Sequence, residues 1–493
     1  MPLDPRTPVL VGAGQIVQRE EPEEALEPVA LMAEAARRAA DDAGAPSLLT
    51  SAQSVQVVRL ISWRYRDPAA LVAGLIGAQP SHTAVSVMGG NSPQSMVNAA
   101  ATAIQDGRLD VVVLAAGEAS RTRAAYRKED REPPWTTEPA SVEPAEVVGD
   151  DVPMNHPAET DRGIFLPVQL YPVFECALRA AAGRSVPDHV ARIAGLWSRF
   201  SEVAAGNPFA WSREALSPEQ VASTAGGNRM VGFPYTRVMN TNNTVDQAAV
   251  VILCSAQAAR DAGVAEDRWV FPWSGTDAHD HPAVSARADL HSSPAMRIAG
   301  GRALSLAGVG VDDLAHVDLY SCFPSAVEIA AAELGLGLES ALTVTGGLSF
   351  AGAPLNGYVM HAIATMAGVL RDDPGSRGLV TANGGYLTKH AFGVWSAEPP
   401  LRPFRWEHPQ AEVDALPAVT PVEHHEGPVT VEAYTVMHGR DGVREQAVVA
   451  CRTPDGGRVW GLSGDDELMA AMCVEELVGT AGELDGEATL RVG

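Results

Sequence analysis

Two stretches of one chain spell the same succession of elements. Gly89–Glu118 reads GGNSPQSMVNAAATAIQDGRLDVVVLAAGE, and Gly352–Tyr386 reads GAPLNGYVMHAIATMAGVLRDDPGSRGLVTANGGY. Each runs from a small-residue turn through an alanine-rich apolar helix and a polar turn to a β-branched strand ending near a Gly/Ala pair. The chain therefore carries a duplicated α/β unit. Duplicated α/β folds place their sites where the two halves meet, so the turns that open and close each copy are the first places to look for function.

The text around the repeats fits the same layout. Val9–Val11, Val55–Leu60, Ala84–Met88 and Asp110–Leu114 read as buried strands, alternating with helices at Ala30–Ala43, Pro68–Ile76 and Pro93–Ile104. Strands alternating with helices of this length predict βαβ units in a mainly parallel sheet. Arg121–Gly163 is rich in charge and proline and opens a largely helical insertion that ends near Tyr235. Sheet-like text resumes at Met239–Ser255. A second block follows with a helix at Pro294–Leu306, a strand at Asp318–Tyr320 and a helix at Ser325–Leu334, before the second repeat. Glu398–Pro403 reads as a linker. Beyond it, Val429–Met437, Glu445–Arg452 and Arg458–Leu462 are strand-like runs separated by turns, which predicts a small β-barrel or sandwich.

At 493 residues the chain exceeds one ordinary domain. A net charge of −25 argues against nucleic acid or an anionic membrane as partner, since phosphate binding draws on clustered Lys and Arg. The N-terminal text lacks a signal-peptide pattern, and no apolar run reaches membrane-spanning length. Five scattered cysteines without a CxxC pair fit a reduced compartment, so a cytoplasmic protein is expected.

RTPVLVGAGQ (Arg6–Gln15), HPAETDRGIFLPVQLYPVFECALRAAAGRS (His156–Ser185), NRMVGFPYTRVMNTNNTVDQAA (Asn228–Ala249), DLYSCFPSAVEIAAAELGL (Asp318–Leu336) and TANGGYLTKHAFGVWS (Thr381–Ser396) resemble, in order and over nearly the whole chain, the thiolase superfamily. Within it they most resemble thiolase-like protein type 1, an actinobacterial group that often carries the label acetyl-CoA acetyltransferase. The resemblance implies a layered α/β/α/β/α core of two pseudo-equivalent βαβαβαβ halves. The first half is expected over 1–120 and 236–275, interrupted by a helical loop domain over 121–235. The second is expected over 276–398, and an OB-like β domain over 404–493. It also implies a role in lipid metabolism, an acyl-CoA thioester as substrate or ligand, no permanently bound cofactor, and either a monomer or a homodimer.

A thiolase works through a cysteine at a helix N-terminus, where the helix dipole favours thiolate, activated by the histidine of a GHP turn and assisted by the cysteine of a CxG turn. Matched to those motifs, this chain has Gly90 at the nucleophile position, Ala353 in place of the histidine and Ala382 in place of the second cysteine. Glycine and alanine supply no nucleophile, base or acid. Backbone survives such losses. The resemblance implies an oxyanion hole built from the N–H groups of Gly90 and Gly384, which can polarise a carbonyl without any side chain.

Replacement catalysts are sought among Tyr320, Cys322, Tyr358, His361, Tyr386, Lys389 and His390, and the reading settles on Tyr320, Tyr386 and His390. Cys322 and His361 read first as packing residues. Arg192, Arg199, Arg213, Arg229 and Arg237 lie in or beside the insertion; Arg229 and Arg237 are the pair assigned to coenzyme A phosphates. GAGQ at Gly12–Gln15 lacks the third glycine of a dinucleotide fingerprint. His279, His281 and His291, with Asp277 and Asp280, match no zinc spacing, so no metal site is expected. The chemistry expected is aldolase- or Claisen-like carbon–carbon bond chemistry on a thioester without a cysteine intermediate. The alternatives are a non-catalytic CoA-ester binder, a docking or channelling role for the C-terminal β domain, and a conventional acyltransferase, ranked below the first two.

Overall fold

The computed structural model describes residues 3–492. Its first sheet contains β1 (Pro8–Val17), β2 (Ser54–Val57), β3 (His82–Ser86), β4 (Val111–Ala119) and β5 (Glu146–Val148). The insertion adds a short hairpin, β6 (Met230–Gly232) and β7 (Tyr235–Thr236), before β8 (Asp246–Ser255) returns to the first sheet. A second sheet holds β9 (Phe271–His279), β10 (His316–Asp318), β11 (Arg377–Gly384), β12 (Lys389–Ser396) and β13 (Arg405–Glu407). The C-terminal sheet holds β14 (Gly427–His438), β15 (Arg444–Arg452), β16 (Arg458–Ser463), β17 (Ala481–Leu484) and β18 (Leu490–Val492).

The duplication is visible in strand order. The first sheet runs β1-β8-β4-β2-β3-β5 and the second β10-β11-β12-β9-β13. Reading β9, β10, β11 and β12 as the counterparts of β1, β2, β4 and β8, both sheets share one permutation. One strand in each sheet runs against the rest: β8 is antiparallel to both neighbours, as β12 is to β11 and β9, while the remaining pairs are parallel. β9 lies in the second sheet, so Phe271–Gly275 belongs with the second half and not with the first, where the sequence reading put it. β5, drawn from the insertion, pairs parallel with β3 and completes the first sheet.

Two helices, Ser92–Gln105 and Tyr358–Asp372, lie between the sheets and are the helices of the two sequence repeats. Alanine-rich faces let them pack on both sides at once. The outer helix Pro28–Ala43 lies on β1 through Leu31, Met32, Ala35, Ala36 and Ala39. It approaches so closely that a Cβ on Gly12 would stand 3.0 Å from the Ala39 carbonyl carbon. The GAGQ glycines thus serve helix-on-strand packing. Each buried Leu or Val of this core contributes about 1.5–3 kcal/mol.

The loop domain is built on the helices Pro167–Ala181 and Val186–Gly206. In the C-terminal domain the order β16-β15-β14-β17-β18, with a bridge from Leu462 to Thr489, curls the sheet back on itself. β6 also pairs with β14, joining the loop domain to the C-terminal domain. Arg458, fully buried, grips Glu432 through Nε (2.7 Å) and Nη2 (2.6 Å) and donates to the Val284, Ser285 and Arg287 carbonyls.

Candidate active site

The two repeats and the Tyr320 loop converge at the N-terminus of the central helix Ser92–Gln105. Gly89, Gly90 and Asn91 form the turn into that helix, Asn383 and Gly384 end β11, and their backbones are in contact. A Cβ on Gly90 would lie 2.5 Å from the Asn383 carbonyl oxygen, and one on Gly384 would lie 3.2 Å from the Gly89 Cα. Gly90 and Gly384 are therefore neighbours. Among the described residues the Gly90 amide has no hydrogen-bond acceptor. It sits at the positive end of a 14-residue helix, which favours a developing negative charge. The GAP turn of the second repeat reaches the same place. Ala353 is buried, with its N–H on the Asn242 carbonyl at 3.0 Å, and Asn356 Nδ2 donates to Met88 Sδ at 3.0 Å.

Tyr320 explains the glycine at position 90. Any Cβ there would lie under 3.0 Å from the Tyr320 hydroxyl and 2.9 Å from its Cζ. The phenol occupies the space that a side chain at the nucleophile position would need. Tyr320 is held from behind: its N–H donates to Thr381 Oγ1 at 2.9 Å, and its ring meets Tyr358 edge-on at 5.6 Å. Tyr358 is itself fixed by Asp318 at 2.9 Å and Thr345 at 2.6 Å. The Tyr320 hydroxyl makes no hydrogen bond to a described residue. Burial, with Cys322 adding to it, pushes this phenol well above the ordinary tyrosine range, so it stays protonated.

Lys389 and His390 are adjacent on β12 and point to opposite faces. Lys389 faces the glycine turns: its ammonium donates to the Met88 carbonyl, and a Cβ on Gly89 would stand 3.0 Å from Nζ. Burial lowers its pKa, against the pull of the Asp151 charge. His390 faces away, toward Asp280 and Ser293, each at 3.3 Å. Burial alone would push the Asp280 carboxyl up, but the His390 and Ser293 hydrogen bonds and the Arg287 charge outweigh it and hold the carboxyl below its ordinary range. Tyr386 is also engaged elsewhere. Its hydroxyl donates to the Phe165 carbonyl at 2.5 Å, tying β11's exit to the loop domain. Of the three catalysts expected from sequence, the structure brings only Tyr320 to the glycine pair.

Cys322 is buried and its thiol is pushed up to about 12 by that burial, leaving no thiolate to replace the missing nucleophile. His361 is buried with Nδ1 2.8 Å from Gln15 Oε1. Ala382 is buried within β11, paired with Ala391. Arg229 does not reach the site: its Nη1 donates to the Met230 carbonyl at 2.9 Å and lies 3.4–3.5 Å from the His438 and Gly439 carbonyls of the C-terminal domain. Arg237 is exposed, and its bonds to described residues are made by backbone, its N–H on the Arg229 carbonyl and its carbonyl accepting from the Asn240 N–H. The His279, His281 and His291 group does not converge. The ligand-type residues that do converge among those described are Glu175, His189 and Glu328, all buried, with Arg192 and Tyr235 already hydrogen-bonded to the two carboxylates.

Asn91 and Lys389 are the site residues that the sequence reading did not assign. Asn91 Oδ1 is buried without a partner against Gly89 and Gly384. Its signal was its place beside Gly90, at the start of a helix. Beyond Asn91 and Lys389 a cavity of about 770 Å³ opens between Met96, Ala99, Val148 and Trp406, within the range of small-molecule sites.

Two similar sheets enclosing paired central helices, with three motif turns meeting at one helix N-terminus, define a thiolase-type protein. Residues 409–488 match the family model for the additional C-terminal domain of thiolase-like protein type 1. The crystal structure of a monomeric SCP2-thiolase-like protein type 1 from Mycobacterium smegmatis is 32% identical over 100% of both chains, with a TM-score of 0.85. The chain belongs to the thiolase-like protein type 1 family. Two further structures share the fold at lower identity. An Ltp2–ChsH2(DUF35) aldolase is 19% identical over 81% of this chain and 100% of its own, at a TM-score of 0.59. The Acat5 thiolase of Ascaris suum in complex with coenzyme A is 16% identical over 79% and 99%, at 0.57. A search of curated proteins gave no match.

Proposed function

We propose that the protein binds an acyl-CoA thioester with its carbonyl oxygen on the Gly90 and Gly384 amides and makes or breaks a carbon–carbon bond beside it without forming an acyl-enzyme. The observation that carries this reading is the placement of the Tyr320 hydroxyl, protonated and without a hydrogen-bond partner among the described residues, in the space vacated by the nucleophile. In the cleavage direction a β-hydroxyacyl thioester loses its hydroxyl proton to a solvent water, which later returns a proton to the Tyr320 phenolate, the bond between Cα and Cβ breaks, and a carbonyl compound leaves. The remaining electron pair resides on the thioester enolate, whose oxygen the two amides and the nearby Lys389 ammonium stabilise. Tyr320 then delivers a proton to Cα as general acid. The synthetic direction reverses these steps.

The shared fold with a thiolase in complex with coenzyme A and with an aldolase supports the ligand class and the reaction class. A binding protein without turnover is the second reading, favoured by the engagement of Tyr386 and His390 elsewhere. Turnover separates the two. Incubation with β-hydroxyacyl-CoA thioesters, followed by mass spectrometry of products, is expected to reveal a shortened acyl-CoA. Tyr320→Phe should lower kcat by about 10²–10⁴-fold with little change in thioester affinity. Equal turnover by the variant would contradict the role of Tyr320, and no product from any thioester would favour the binding reading.

A further inference from the structure

A second cavity, of about 1070 Å³, lies between the loop that follows β2 and the segment 137–147 that leads into β5. Arg59, Arg64, Arg66 and Arg123 all line it. In a chain of net charge −25 this concentration is unusual, and the geometry makes it more so. None of the described carboxylates forms an ion pair with any of these four guanidinium groups.

Each guanidinium keeps donors in reserve. Arg59 spends Nε on the Ser86 carbonyl at 3.0 Å, and Arg66 spends Nε on the Val142 carbonyl at 2.5 Å. Arg123 spends Nη1 on the Ser62 carbonyl at 2.6 Å, with its guanidinium 5.7 Å from the Trp63 ring centre. Arg64 is exposed and makes no hydrogen bond to a described residue. The one carboxylate in the lining, Glu138, is turned to backbone: it accepts from the N–H groups of Arg66 at 2.5 Å and Asp67 at 3.2 Å. Glu118, behind the loop, is likewise occupied by the Ile61 and Ser62 amides at 2.7 and 2.8 Å. The nearby carboxylates therefore serve the loop backbone and form no ion pair with the four cations, although the Arg123 charge also acts on Glu118.

Four like charges facing one concavity repel one another, and a cleft of one sign focuses field on whatever enters it. Guanidinium forks match the paired oxygens of phosphate and carboxylate, and the concave shape suits a small molecule better than a flat protein face. We infer that this cavity is a binding site for a small oxyanion ligand carrying two or more negative charges, distinct from the Gly90–Gly384 pair although Met88, which leads into that turn, forms part of its wall. Phosphate and carboxylate groups share this chemistry. The inference does not rest on the thioester reading.

Calorimetric titration of the full chain with pyrophosphate and, separately, with succinate tests it. At least one is expected to bind at millimolar concentration or below, more weakly as salt is raised, and the arm that binds tells phosphate from carboxylate. Arg64→Glu, at a side chain with no hydrogen bond to a described residue, should retain the fold and weaken binding at least about tenfold, as should Arg59→Gln. Tyr320→Phe should leave it unchanged, as should Arg440→Glu at an exposed arginine of the C-terminal domain. Binding of neither anion, or equal weakening by Arg440→Glu, would overturn the inference.

Discussion

Gly90 and Tyr320 are one feature divided between two parts of the chain. A cysteine at position 90 needs the volume that the tyrosine ring fills, so the loss of the nucleophile and the gain of the phenol are sterically linked. The sequence shows a glycine where a nucleophile is expected; it does not show what occupies the vacated space, because residues 230 positions apart meet only in the fold. Lys389 and His390 teach a related lesson. Both stand near a motif, but which of two adjacent strand residues faces the site depends on strand pairing, and β12 turns Lys389 inward. His361 gives this scale its prediction. Burial pushes its pKa down to about 3, whereas the unfolded chain protonates imidazole near 6.5. Above pH 6.5 the residue adds no pH dependence. As pH falls from about 6.5 to about 3 the unfolded state alone takes up the proton, and stability is lost. Denaturant unfolding at pH 7 and pH 5 should show a smaller loss for His361→Gln than for the parent; equal losses would contradict the buried neutral imidazole.

At the scale of elements, the repeat was legible because each copy keeps its helix and its strand: Ser92–Gln105 with β4, and Tyr358–Asp372 with β11. The edge strands were not. β5 and β13 are three residues each, too short to show a period, and they exist because longer strands offer them an edge. The last two strands, β17 and β18, escaped for the same reason. Joints between domains were also hidden. Arg229 reads as a phosphate ligand by composition, yet it holds carbonyls of the C-terminal domain. The strongest such joint is Arg458, which spans Glu432 and three carbonyls of residues 284–287. Arg458→Ala removes one of the two guanidinium partners of the half-buried Glu432, leaving Arg452, and strips three backbone carbonyls of their donor, so it should cost about 1–3 kcal/mol. Thermal melts with limited proteolysis should show the C-terminal domain released first, and an unshifted melt would count against this joint.

For the whole molecule, the two capped edges bear on assembly. β3 and β9 would otherwise offer open edges to another chain, and β5 and β13 occupy them. The β3 edge, beside the nucleophile turn, is covered by β5, from the loop insertion. Light scattering after size exclusion should give a single species near 51.7 kDa, and a dimer would show that this cap does not prevent association. The central claim is that the reaction chemistry has passed from a cysteine to two backbone amides and a phenol. The most direct measurement is a crystal structure of the protein with a bound acyl-CoA. The account predicts a thioester oxygen within about 3 Å of the Gly90 and Gly384 amides, the Tyr320 hydroxyl beside Cα, and no covalent bond to protein. A thioester remote from both amides, or an acylated side chain, would contradict it.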